Sequence, residues 1–408
     1  MQLADVPLIL MLVGLAAYAV LGGADFGAGF WQLTGGRSER ARAIREHAHH
    51  SIGPVWETNH VWLIFVLVLC WTAYPTAFGS IASTLAIPLF IAAVGIILRG
   101  TAYAMRSATA TGGEQRRVEI LFGLSSILTP FALGSAIGGI ASFRVPVGNA
   151  EGDHISSWLN WTSVLIGVLA VATAAYLAAV YLAADAVRLG RRDLADAFRQ
   201  RALLMGVIAG GVAIGGLAVV YDDARPLWNG LSNGAGLGAV VGSAVAGATT
   251  MLLVWRRQFE PARVTAALAV AAIIAGWALA QRPTFLAGLT IEEAAASRGA
   301  LIAILASVAA GAIVLLPSLA LLFALVLRGR FDAEASEIDF LPATRMPVTG
   351  RPGLVLAAAG SLVVGAFLMI AFEAGWAHVI GVLGLLAFVA LGFFALAGAI
   401  AAGDEAGQ

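Results

Sequence analysis

The chain has 408 residues, of which 60% are hydrophobic and only 12% charged, with a mean hydropathy of +0.89. That composition excludes a soluble globular domain and calls for lipid as solvent. Formal net charge is zero, and the single cysteine, Cys70, lies within an apolar run, which excludes an intrachain disulfide and any cysteine-based iron–sulfur or zinc site.

A hydrocarbon core about 30 Å thick takes roughly 20 apolar residues to cross as a helix. The sequence predicts an all-α integral membrane protein with about eleven such spans, at 6–34, 54–74, 79–105, 118–143, 158–187, 202–220, 235–255, 262–281, 299–327, 352–372 and 376–402. Runs this long and unbroken exclude a closed barrel. Asp5 stands where a cleavable signal would carry basic residues, and the first apolar stretch is a full span, so it is expected to remain as the first helix.

The chain has no lysine, and its 24 basic residues are all arginine. Cytoplasmic intervals of membrane proteins collect positive charge. With odd-numbered spans running inward, twenty arginines fall inside, among them Arg37 to Arg45, Arg99 to Arg117 and Arg188 to Arg201, and Arg144, Arg225, Arg282 and Arg298 fall outside. The expectation is therefore an outside N-terminus and a cytoplasmic C-terminus. These arginines flank spans, so no nucleic-acid surface follows.

Residues 1–330 are expected to form one transmembrane domain of about nine helices. Residues 331–408 then supply a cytoplasmic linker and an additional, peripheral helix pair. The first and fifth spans run the same way and each carries an aspartate near its inner end, Asp25 and Asp185, a pattern that two four-helix units would produce.

Ionisable residues inside spans cost several kcal/mol unless paired or hydrated. Asp25 sits in Gly22-Gly23-Ala24-Asp25-Phe26-Gly27-Ala28-Gly29, about 27 Å down the first helix from Pro7 at 1.5 Å per residue. Its glycines allow close approach of a helix or water; the plainer reading is an interfacial carboxylate at a helix end. The second span opens with Gly53-Pro54-Val55-Trp56-Glu57-Thr58-Asn59-His60-Val61-Trp62. Pro54 suits a first turn and Glu57 the positive end of the dipole, so capping alone would explain Glu57. Glu57 and His60 nevertheless share a face, beside Asn59, and enter from the same side as Asp25. A carboxylate–carboxylate–imidazole cluster at one membrane face is a candidate proton entrance. A packed histidine and interfacial tryptophans are the competing readings of His60, Trp56 and Trp62.

Those two segments, the glycine run around Asp25 and Gly53 to Ile64, resemble the signature segments of cytochrome bd quinol oxidase subunit II. The resemblance covers roughly residues 1–330; that family is usually described with nine spans, and two more are counted here. It implies a non-haem subunit that binds no cofactor itself and pairs with a haem-bearing subunit I, which holds two haems b, one haem d and the quinol site. Small accessory subunits, lipid and quinone are further contacts it allows, and a bacterial cytoplasmic membrane is the expected location. The implied reaction oxidises quinol and reduces dioxygen to water, with cytoplasmic protons passing Asp25 and Glu57, His60 as a further relay, and Trp56, Asn59 and Trp62 at the subunit contact or an oxygen route. A proton-coupled secondary transporter and a purely structural scaffold remain the alternatives.

Overall fold

The structure, a computed structural model, describes residues 2–34, 39–52, 56–106, 112–327, 352–371 and scattered positions of 376–391. Pro54, the interval 328–351, the turn at 372–375, His378 and most of the eleventh predicted span lie outside the described residues, as do the side chains of Trp56 and Glu57. The chain divides into two compact units, Met1–Phe323 and Ala324–Gln408.

The first unit begins with α1 (Asp5–Ala17), a π-helical turn (Tyr18–Gly22) and α2 (Gly23–Thr34), which together make one span. It continues through α3 (Glu39–Ile52), α4 (Trp56–Ala73), α5 (Pro75–Thr84), α6 (Ala86–Arg106) and α7 (Gly112–Ala141). After a structured loop come α8 (Trp161–Arg188), α9 (Arg192–Asp223), α10 (Arg225–Leu231), α11 (Gly234–Trp255) and α12 (Phe259–Gln281). A two-stranded hairpin, β1 (Thr284–Leu286) with β2 (Leu289–Thr290), and the single turn α13 (Ile291–Ala294) lead into α14 (Arg298–Leu327). In the second unit Gly384 lies against Gly365 and Ser361 of α15 (Pro352–Ala371).

Eight described helical segments are long and apolar enough to cross a membrane, and Asn59–Ala73 is a shorter apolar helix. The protein is thus a multi-pass helical membrane protein. Large apolar side chains face outward along the spans, Phe90 at 70% exposure and Ile214 at 73%, as expected where lipid replaces water.

Three local features depart from the sequence reading. The span expected at 79–105 is split: Pro88 has no N–H to give the Thr84 carbonyl, so α5 stops and α6 starts anew after Leu85. The first span is interrupted by the π turn, whose Leu21 carbonyl accepts a hydrogen bond from Asn59 Nδ2 at 3.3 Å. The interval holding His47 and His49 is a helix, α3; His47 Nε2 is 3.1 Å from the Leu182 carbonyl of α8, which docks α3 on that helix.

α8 is buried along nearly every residue from Ala172 to Ala186 and packed against α2, α7 and α9. α2 approaches it so closely that a methyl at Gly27 would drive into the Ala174 carbonyl, and one at Gly29 would strike Ser126 Oγ of α7. The Trp31 indole donates to the Ala175 carbonyl at 2.9 Å and pins the same contact.

Ion pairs tie both ends of the bundle. At the end that holds the N-terminus, Arg282 bonds Asp5 at 2.9 and 3.0 Å, and Tyr74 donates to the Ala4 carbonyl. Arg144 forks onto Asp223 at 2.7 and 3.1 Å, and Asp223 also accepts from the Thr162 hydroxyl at 2.6 Å. At the opposite end Arg263 pairs with Asp185, and Arg199 donates to the carbonyls of Val254 and Trp255.

The element order from α4 to α7 recurs from α9 to α12: long helix, short helix, long helix, long helix. The breaks match in backbone conformation, with Tyr74 at φ −137°, ψ 62° and Ala224 at φ −139°, ψ 62°, and each following short helix has a proline in its first turn.

Gly27→Ala is expected to destabilise the protein by about 1–3 kcal/mol through overpacking against backbone that cannot yield. Gly210→Ala, which meets nothing within 4 Å, should stay within about 0.5 kcal/mol of wild type. Thermal unfolding of the two purified variants in detergent checks this; equal melting temperatures would contradict the packing role.

Candidate functional site

Asp25 lies on α2, three residues into the segment that follows the π turn, and is 6% exposed. Its partner is Arg99 of α6, 2% exposed and the largest fully buried side chain among the described residues. Arg99 Nη1 donates to Asp25 Oδ2 at 2.7 Å and Nη2 to Oδ1 at 2.7 Å, and Nη2 also reaches the Asp25 carbonyl at 3.1 Å. Two parallel charge-assisted bonds between planar groups are the strongest geometry available to such a pair. The guanidinium carbon lies 4.7 Å from the ring centroids of both Phe26 and Phe122, so aromatic quadrupoles add to the carboxylate's attraction.

His60 stands one layer away. Its ring centroid is 6.1 Å from that of Tyr18 and 6.3 Å from that of Phe26, and Tyr18 meets Phe26 edge-on at 6.3 Å. Trp62 packs into the same apolar cluster, together with Leu63, Ile96, Leu133 and Ala174. Asn59 is buried and holds the π turn through Leu21. Asp25, Asn59, His60 and Trp62 therefore converge around one short stretch of the first span. Glu57 is a helical position of α4 three residues before His60, and its side chain, like that of Trp56, lies outside the described residues.

Two sequence expectations are corrected. The reading of Asp25 as a carboxylate at a helix end does not hold: nine residues of α2 follow it, it is 6% exposed, and α2 packs against α7 and α8. Arg99 does not belong to the arginines that flank spans, because it lies inside α6 and neutralises Asp25. The signal was available, since Arg99 falls inside the span predicted at 79–105, and an arginine there demands a carboxylate. Tyr18, Gln32 and Phe122 had no such signal; nothing in an apolar helical sequence tells which aromatic will face a charge.

Chemically, the arrangement is a fixed anion whose two oxygens are both occupied by Arg99, with an imidazole and a phenol close by in a low-dielectric interior.

Residues 3–326 match the family described as Cytochrome bd terminal oxidase subunit II. The chain belongs to that family. The match ends within a few residues of Phe323, where the first compact unit ends. Two curated relatives of Bacillus subtilis (strain 168) accompany this cytochrome bd subunit II match. A putative cytochrome bd menaquinol oxidase subunit II is 26% identical over 220 residues, 53% of this chain and 62% of the relative. A cytochrome bd ubiquinol oxidase subunit 2 is 28% identical over 170 residues, 41% of this chain and 49% of the relative. This subunit II family member therefore spans less than two thirds of either relative's length. Among solved structures, a chain of the bd oxidase from Geobacillus thermodenitrificans has the same fold, with a TM-score of 0.63, 23% identity, and coverage of 80% of this chain and 99% of that one.

Removing one member of a buried ion pair leaves an uncompensated charge, a loss of about 3–5 kcal/mol, whereas removing both costs much less. Arg99→Met is thus expected to be severely destabilising, and the double variant Asp25→Asn/Arg99→Met to recover a large part of the loss. A double-mutant cycle by chemical denaturation in detergent reads the coupling; additive single effects would mean the pair does not form.

Proposed function

We propose that this chain is the non-haem subunit II of a cytochrome bd-type quinol:oxygen oxidoreductase of the bacterial cytoplasmic membrane. The observation that carries the reading is the family match over residues 3–326. In this reading a partner subunit I holds two haems b, one haem d and the quinol site. This chain binds no haem, and small accessory subunits, lipid or quinone can complete the assembly. The N-terminus faces outward and the C-terminus the cytoplasm, with eleven spans: two four-helix units that share an element order, followed by peripheral C-terminal helices. The recurrent breaks at Tyr74 and Ala224 and the paired aspartates Asp25 and Asp185, each bound to an arginine, support that division.

Reduction of dioxygen to water consumes protons, and quinol oxidation releases them. Drawing the consumed protons from the cytoplasm turns the reaction into charge separation across the membrane. Asp25 and Glu57 are the carboxylates of subunit II that serve that uptake, with His60 as a further relay. A proton arriving at Asp25 displaces one Arg99 N–H from a carboxylate oxygen; the remaining Nη–Oδ bond keeps the side chain in register, and loss of the proton restores the fork. Phe26, Phe122 and Trp62 exclude bulk water from the step and so prevent leakage. Asn59 holds the π turn, and with it the bearing of Asp25, through Leu21.

Asp25→Asn and Glu57→Gln should each slow quinol-driven oxygen consumption on the order of 10²-fold, the usual contribution of a positioned proton-transfer group. Glu57→Asp should retain much more activity, because a shorter carboxylate still relays through a bridging water. Oxygen uptake per haem d in purified complexes is the measurement. Wild-type turnover in both amide variants would leave these carboxylates as structure alone.

A further inference from the structure

Two turns at the end of the bundle opposite the N-terminus carry more positive charge than their own acids neutralise. Residues 185–199, from the end of α8 into α9, and 254–263, from the end of α11 into α12, together hold seven arginines and four carboxylates. Four of the arginines are engaged. Arg263 pairs with Asp185 and stands 3.7 Å from Glu260, Arg188 lies 4.0 Å from Asp185, Arg257 bonds Asp196 at 2.8 Å, and Arg199 donates to the carbonyls of Val254 and Trp255. The remaining acid, Asp193, sits in the first turn of α9, where it complements the helix dipole. Arg191, Arg192 and Arg256 are exposed and form no ion pair among the described residues.

Packing brings these three to one corner. Arg199 and Asp196 clasp the end of α11 against the first turns of α9; Arg191 and Arg192 lie about one turn before Asp196, and Arg256 is the neighbour of Arg257. The spans set their depth. Arg192–Asp223 and Gly234–Trp255 are each long and apolar enough to cross a membrane, so arginines at their ends stand at the level of lipid headgroups. Next to them the surface turns apolar: Trp255 is 63% exposed, and Leu252 of α11 and Leu204 of α9 are exposed as well. An indole at that boundary bridges headgroups and acyl chains.

We propose that this corner binds one anionic phospholipid, its headgroup phosphate held by Arg191, Arg192 and Arg256 and its acyl chains lying on the apolar faces of α9 and α11. A guanidinium offers phosphate two parallel N–H donors and cannot lose its charge, so three of them at headgroup depth favour a lipid with net negative charge over a zwitterionic one. A soluble anion would leave Trp255, Leu252 and Leu204 uncovered; a lipid meets the charge and the apolar surface together. The inference goes beyond the oxidase reading and does not depend on it.

The test uses the full-length protein purified in detergent with whatever subunits accompany it. Native mass spectrometry, with phosphatidylglycerol or phosphatidylcholine titrated in, reads how many lipids stay bound and how tightly. Wild type is expected to retain one phosphatidylglycerol about tenfold more tightly than phosphatidylcholine. An arginine at an anionic surface contributes about fivefold in affinity, so Arg191→Gln/Arg192→Gln/Arg256→Gln should weaken that binding on the order of 10²-fold. The charge-conserving variant Arg191→Lys/Arg192→Lys/Arg256→Lys should keep most of it, and Arg298→Gln, at the end of the bundle that holds the N-terminus, all of it. The three side chains are exposed, so circular dichroism should show the same helicity in every variant. Equal binding of the two lipids, full retention of phosphatidylglycerol by the glutamine variant, or its displacement by an equal concentration of inorganic phosphate would overturn the proposal.

Discussion

A charge surrounded by hydrocarbon and protein must be neutralised where it stands, and the Asp25–Arg99 pair is the point on which the first unit turns. The pair joins α2 to α6, and the two phenylalanines that box the guanidinium come from α2 and α7. Three helices are therefore indexed to one another by a single interaction with strict planar geometry. The glycines on either side serve it: without side chains at Gly27 and Gly29, α2 sinks far enough against α8 and α7 to shut the pair away from water. The motif that looks like a flexible run in the sequence is in the structure a rigid seat.

The same rule repeats with less burial. Asp185 with Arg263 and Asp223 with Arg144 are only partly enclosed, and each lies near a helix terminus where water competes for the charge. Such pairs contribute modestly. Asp25–Arg99 differs because both partners are almost wholly buried, so it specifies position more than it adds stability.

Much of the architecture was legible because hydrophobic length is a strong signal: the spans read from hydropathy at 158–187, 235–255, 262–281 and 299–327 coincide with α8, α11, α12 and α14 within a few residues. Less legible was whatever depends on one backbone bond. Pro88 splits a continuous apolar run, the π turn leaves no compositional trace, and α3 is too polar for a span reading to register it as a helix docked on the bundle. The candidate site was half visible. Asp25, Asn59, His60 and Trp62 stood out through their motifs, but Arg99 was absorbed into a count of flanking arginines, and Gln32 is one amide in a helix that gives no hint of an unfilled N–H. Tertiary pairing over 74 residues of sequence is information that periodicity does not carry.

The central claim is that this chain works only as one subunit of a haem-bearing quinol oxidase. Purification of the tagged chain from its native membrane, followed by an absorption spectrum and quinol-driven oxygen uptake on the same sample, tests it most directly. The account predicts a stoichiometric larger partner, bands of haems b and d, and oxygen consumption that starts on addition of quinol. A homogeneous, haem-free preparation that consumes no oxygen would contradict it.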